Sequence, residues 1–246
     1  MSVSIGIQLY TVRDACQKDF KGTLKVLAEI GYQGVEFAGV YGGMSPRELA
    51  KYLQSLGLQC AGMHTSLDEI LKPRSDAYAY AGALNSSFVT TSLCNEVNKD
   101  WAGTVDRMLQ AAAVAYSQGF LFTYHNHAGE LAEVNGTIAL DQAMARPSLL
   151  QFELDTYWVK KGGQDPAAYI RRYAGRAPQV HIKDMDKTDG SFAEVGYGTL
   201  DLPAILNAVE NSRTRWLIVE QDTCKNPPLE SAKMSFETLK KAGLGG

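Results

Sequence analysis

The chain lacks most of the features that make a function easy to name. Its four cysteines, Cys16, Cys60, Cys94 and Cys224, stand far apart with no CxxC pair. They form no disulfide framework and read as reduced, mostly structural thiols of a cytoplasmic protein. No stretch approaches the roughly 18 consecutive apolar residues of a membrane span, and the start, MSVSIGIQLYTVRD, has no basic region before a long apolar one. Neither a membrane protein nor a signal peptide is expected. Lys and Arg total 24 against 27 Asp and Glu, giving a net charge of −3 with no basic block. Nucleic acid is thereby disfavoured as a partner, because phosphate binding needs clustered positive charge. No GxGxxG or GxxxxGK[ST] follows an early strand, so the nucleotide-binding open sheets lack their main signal. Histidine is scarce too: there are four, and two of them share the tetrapeptide Tyr124-His125-Asn126-His127.

What is present is alternation. Short apolar runs (SIGIQL, GVEF, LQCAGMH, SFVTTS, GFLFTYH, LLQFELD, PQVHIKD, RWLIVEQD) alternate with segments of helical period such as FKGTLKVLAEIG and SPRELAKYLQSLG. In the latter, Ser45 before Pro46 and Glu48 predicts a capping box with proline at the first helical position. A helix around DEILKPRSDAYAYAGAL contains Pro73, and the next one begins at Lys99. Eight strand–helix pairs, each about 30 residues long, predict a (β/α)8 TIM barrel of the α/β class, a single domain over residues 1–246. The segment from Met185 to Thr199 is the longest irregular connection, as in lids and binding loops.

In such barrels the chemistry sits at the C-terminal strand ends. Those ends carry Gln8, Glu36, His64, the YHNH group with Glu130 beyond it, Asp155, His181 with Lys183, and Glu220 with Asp222. Asp155, His181 and Glu220 follow or interrupt apolar runs, where charge is costly unless paired or bound to metal. Two carboxylates converging on an imidazole suit one divalent cation, Mn²⁺, Mg²⁺, Co²⁺, Fe²⁺ or Zn²⁺, with the oxygen-rich balance leaning to the harder ions. The bland alternatives are a hydrogen-bonded core histidine at 181, a rim salt bridge from Glu220 to Lys183 or Arg215, and Asp155 as a loop cap. Glu153 and Asp222 read as rim or supporting groups.

The motifs IGIQLYTVRD, YHNH, LDTYWV, HIKD and IVEQD, in that order over nearly the whole chain, resemble the sugar phosphate isomerase/epimerase family, the xylose isomerase-like TIM barrels. The resemblance implies one divalent ion, most often Mn²⁺, with Asp155, His181 and Glu220 as three of four ligands. It departs at strand five, where relatives carry a glutamate and this chain has Tyr124-His125. Either Glu130 folds back as the fourth ligand, or His125 or His127 replaces the carboxylate; Glu130 is preferred because it keeps the charge count. A further departure is EVGYGTLD, with Tyr197 where relatives have an acid.

The implied activity is a metal-dependent sugar or keto-sugar isomerase or epimerase. It removes a proton beside a carbonyl and passes through a metal-stabilised enediolate. A keto-sugar lyase or dehydratase acting by β-elimination, related to inosose dehydratase and 3-keto-glycoside lyases, is nearly as well supported. A non-catalytic sugar-binding barrel is the further alternative. His127 or His125 is expected as the base, with Lys183 and Glu220 assisting. Glu36, His64, Trp158 and Lys183 are expected to contact the sugar, with no phosphate clamp. A nuclease-like trinuclear zinc site would need many more histidines. A homo-oligomer is compatible with all of these readings.

Overall fold

The computed structural model describes residues 3–93, 100–147 and 149–245. Cys94, and Lys99 at the expected helix start, lie outside them. Eight parallel strands close into a barrel: β1 (Ser4–Gln8), β2 (Gly34–Ala38), β3 (Gln59–His64), β4 (Phe88–Thr91), β5 (Leu121–His125), β6 (Gln151–Asp155), β7 (Gln179–Ile182) and β8 (Trp216–Val219). Each strand pairs with its sequence neighbour, and β1 closes on β8 through Ser4–Trp216 to Ile7–Val219. The expected (β/α)8 barrel is therefore the fold, and it forms by the short crossovers that parallel strands require.

Strand alternation sorts the side chains. On β6, Phe152 and Leu154 join the apolar layer between strands and helices, while Glu153 and Asp155 face the interior polar groups. The helix Phe20–Ile30 answers that layer with Phe20, Leu24 and Leu27, all buried at helical spacing. Burying each such side chain contributes about 1.5–3 kcal/mol. Ser45 and Glu48 form the expected capping box, with Pro46 at the first helical turn. The segment containing Pro73 is two helices, Leu67–Leu71 and Asp76–Ala83, rather than one. Proline removes an N–H and Arg74 turns left-handed (φ 61°), while the Tyr78 hydroxyl donates to Ile70 O and clips the two pieces together.

Two connections hold structure that the sequence pattern did not disclose. A short helix, Thr156–Lys161, follows β6 directly, capped by Asp155, whose Oδ1 accepts from Trp158 N at 2.8 Å. The long connection after β7 contains a small hairpin pairing Asp184–Met185 with Phe192–Ala193. The buried Asp184 carboxylate organises that connection by accepting from the N–H groups of Met185, Gly196, Gly198 and Leu200.

The barrel interior is layered. At the N-terminal end Ala61, Phe88, Trp216 and Ile218 form a small apolar cluster of their own. Gly34 makes room for it, since a Cβ there would stand 2.6 Å from the Trp216 ring. Above lies a polar tier, in which Thr123 donates to Gln179 and Gln179 donates to Ala61 O. Gly62 leaves space for this tier, because a Cβ would fall 2.5 Å from both Gln179 Nε2 and Glu36 Oε1. The uppermost tier is the candidate site.

Candidate metal and active site

The register of β6, β7 and β8 brings their inward residues to one level, with Asp155 opposite His181 and Glu220 one step beyond Val219. With His125 from the end of β5 they offer four ligand atoms that all lie within 4.8 Å of one another. All four side chains are buried. The donor chemistry fits a divalent cation. Asp155 Oδ1 is used as the helix cap, while Oδ2 faces inward, 3.1 Å from Lys183 Nζ and 3.6 Å from His125 Nε2. His125, Asp155, His181 and Glu220 are the residues that would hold such an ion.

Behind the four stands a set of buried carboxylates that orient the rings. His181 Nδ1 lies 2.8 Å from Glu220 Oε2, while its Nε2 lies 2.7 Å from Glu36 Oε2. His125 Nδ1 lies 3.1 Å from Glu153 Oε2, and its Nε2 turns to Asp155 Oδ2 at 3.6 Å. The same Glu153 oxygen also meets His64 Nε2 at 3.1 Å and His181 Nε2 at 3.2 Å. Gln8 donates to Glu36 Oε2 at 2.9 Å.

Lys183, two residues beyond His181 on the same face, directs its ammonium at Glu220 (2.6 Å), Asp155 (3.1 Å) and Asp222 (3.3 Å). Burial opposes this charge, but the three acids outweigh burial and raise the Lys183 pKa. Burial alone would push Glu220 up; Lys183 and His181 instead hold it well below the usual carboxylate range. Burial likewise lifts Glu36 to about 8, with Glu153 adding to it, whereas Glu153 is held ionised by the imidazoles around it despite its burial. Burial raises Asp155 to about 6 against the pull of Lys183. His181 is driven up by Glu153, Glu36 and Glu220 against its burial, and His125 is driven down by burial and by His181.

The four residues of YHNH have separate tasks. Tyr124 points away from the interior and donates to Glu130 Oε1 at 2.6 Å. His125 joins the cluster. Asn126 is fully buried and accepts from Asp155 N at 3.0 Å, tying β5 to β6. His127 is half-buried above the cluster with its ring 4.9 Å from that of Trp158. Burial first, then Lys183, pulls the His127 pKa down to about 4, so the ring is neutral near pH 7. Glu130, the preferred fourth ligand from sequence, stands outside the cluster: its second oxygen accepts from His127 N at 3.1 Å, so it braces the turn. The physical reason is its place in the one-turn helix Gly129–Leu131, on the outward side with Tyr124.

A cavity of about 250 Å³ opens on these groups, lined by Gln8, Tyr10, Ala38, His64, Ser92, His125, His127, Lys183, Glu220 and Asp222. Of the expected sugar contacts, His64 and Lys183 line it. Glu36 lies in the tier below, fully buried, and Trp158 packs against Phe192 of the long connection. Glu153 is no rim group; it sits at the centre of the barrel, two residues before Asp155 on the same face, and that spacing was the signal for it. A larger groove of about 980 Å³ borders Arg47, Lys51 and Arg215 at the other end of the barrel, with no convergent acid–base groups. Among the described residues no helix is long and apolar enough to cross a membrane.

Comparison with known proteins shows what the chain is similar to. The inosose dehydratase of Geobacillus kaustophilus is 24% identical over 88% of this chain and 85% of its own length. That of Clostridium beijerinckii is 26% identical over 58% of this chain and 55% of its own. Among solved structures, a sugar phosphate isomerase/epimerase from Parabacteroides distasonis superposes with a TM-score of 0.81 at 21% identity, covering 98% of this chain and 95% of that one. The profile of the xylose isomerase-like TIM barrels matches residues 24–242, nearly the whole barrel, and the chain belongs to that family.

Proposed function

We propose that the protein is a divalent-metal-dependent enzyme that removes the proton beside the carbonyl of a small, uncharged keto-sugar and then expels a β-hydroxyl as water. The observation that carries this reading is the His125–Asp155–His181–Glu220 cluster opening into a cavity with His127 and Lys183 at its wall. Those four residues would hold a divalent ion, which when bound would supply Lewis-acid polarisation of the carbonyl. The chain's own groups do the rest. His127, neutral near pH 7, takes the proton from carbon. As that C–H pair becomes the C=C bond, the β C–O bond breaks, and the departing hydroxyl takes the proton that His127 has received while the Lys183 ammonium hydrogen-bonds to the leaving oxygen. Gln8, Ser92 and Asp222 are placed to hold hydroxyls, and the cavity volume suits a single sugar ring. The Lys183 ammonium is already matched by three carboxylates, so it offers no surplus positive charge to a phosphate.

Elimination is preferred because a symmetric pair of carboxylate bases is missing: His125 stands at the strand-five position and Glu130 faces away. The curated relatives named inosose dehydratase support the same choice. Isomerisation or epimerisation is the second reading, supported by the name of the superposing sugar phosphate isomerase/epimerase. The test is incubation of an inosose with the Mn²⁺-supplemented protein in deuterated water, followed by mass spectrometry. Loss of one water supports the dehydratase, deuterium gain at constant length of the sugar supports the isomerase, and neither change refutes proton abstraction.

A further inference from the structure

We infer that the His125–Glu153 pair turns this cluster into a two-nitrogen, two-carboxylate site that selects an imidazole-preferring transition ion, such as Co²⁺, Fe²⁺ or Zn²⁺, over Mg²⁺. Glu153 is its positioning residue. The inference rests on the cation-binding role proposed above and specifies which ion that role is built for.

Three observations combine. First, Glu153 is wholly buried, and one of its oxygens lies 3.1 Å from His64 Nε2, 3.1 Å from His125 Nδ1 and 3.2 Å from His181 Nε2. A carboxylate can only accept, so these nitrogens are placed to donate to Glu153. Second, the opposite nitrogens are the ones turned to the acids of the cluster, His125 Nε2 to Asp155 and His181 Nδ1 to Glu220. A cation shared with those two acids would find both of these nitrogens turned toward it. A carboxylate behind a ligating imidazole fixes its tautomer and raises its basicity. Third, the carboxylate that could have made the set oxygen-rich, Glu130, is committed to Tyr124 and to the backbone of His127.

The outcome is a donor set of two imidazoles, one aspartate and one glutamate. Imidazole suits Fe, Co, Ni, Cu and Zn, whereas Mg²⁺ demands oxygen ligands and gives up its water reluctantly. Mn²⁺ falls between, at the weak end of the transition series. The donor set thus moves the preference away from the harder ions that the strand-end acids alone would indicate.

The test uses the full chain stripped with chelator and titrated calorimetrically with Co²⁺, Zn²⁺, Mn²⁺ and Mg²⁺. Binding of Co²⁺ is also followed by its visible absorption. Wild type should favour Co²⁺ over Mg²⁺, and His125→Glu should shrink that ratio at least about tenfold, since it restores an oxygen donor at this corner. Because the ratio is taken within one variant, a general loss of stability cancels. Glu153→Gln should weaken Co²⁺ binding by about 10–100-fold, as removal of such supporting groups does, and shift the visible spectrum. Mg²⁺ bound as tightly as Co²⁺, or a ratio unchanged by His125→Glu, overturns the ion preference and leaves the metal-dependent reading standing. Unchanged Co²⁺ binding and spectrum in Glu153→Gln remove the positioning role. No binding of any ion overturns both readings together.

Discussion

Lys183 Nζ lies 2.6 Å from Glu220 Oε2, and this pair is buried at the top of the barrel with Asp155 and Asp222 beside it. One ammonium thus balances three acids, of which Asp155 and Glu220 are buried and Asp222 is partly exposed. Replacing it by Lys183→Met leaves those carboxylates uncompensated, a class of change that costs about 3–5 kcal/mol. In the presence of chelator the thermal midpoint should fall by about 10 °C. Added divalent ion should recover more stability in the variant than in wild type. A midpoint that does not move would contradict the buried placement of this ammonium.

His127 and His125 differ in what their loss should do. His127→Asn removes the proposed base but none of the four ligand residues, so turnover should fall about 10²–10⁴-fold with little change in KM. Divalent binding, followed by calorimetry, should stay at the wild-type level. Parallel loss of both activity and cation binding would instead make His127 part of the metal site.

The Asp184 carboxylate takes four backbone N–H groups, and hydrogen bonds to a charged acceptor contribute about 1.5–3 kcal/mol each. Asp184→Asn keeps the shape but gives up one of the two acceptor oxygens. Amides of residues 186–200 should then exchange with deuterated water faster, while amides of β1 and β8 keep their protection. Uniform acceleration through the barrel would show that the carboxylate supports the whole fold rather than this connection.

The turn of the same hairpin carries a pH signature. Backbone donation from Thr188 and then the Lys225 ammonium draw the Asp186 carboxyl down from 3.8 to about 2. A carboxyl lowered on folding stabilises the folded form above its unfolded value, and that contribution is lost as pH falls through the folded one. The turn should stay ordered at pH 5 and loosen between about pH 4 and pH 2. Exchange of the Thr188 and Gly190 amides by NMR reads this directly; a loosening already complete at pH 5 would exclude it.

The fold was legible because its signals are local. Strand parity set Asp155, His181 and Lys183 facing inward, and Ser45, Pro46 and Glu48 announced their helix start. His125 and Glu130 show where such signals end. Both follow the same apolar strand, and sequence alone offered both as ligand; what separates them is that Tyr124 faces outward and draws Glu130 with it. Glu153 had the same parity as Asp155, yet its partners come from β3, β5 and β7, and that meeting depends on the shear of the closed barrel. The short helix Thr156–Lys161 was hidden for a different reason, since its cap is the candidate ligand itself.

Among the described residues, the apolar plug of Ala61, Phe88, Trp216 and Ile218 closes the N-terminal end of the interior and leaves the cavity at the opposite end as the way in. Water and ions arriving from the N-terminal end meet the Trp216 ring and stop. Protons exchanged between the buried groups and solvent through that cavity pass His64, His127 and Lys183 on its wall. Changes in the residues around the mouth can retune what enters without disturbing that inner reservoir, whereas an opening cut in the plug, such as Trp216→Ala, would give the reservoir a second exit and short-circuit the path.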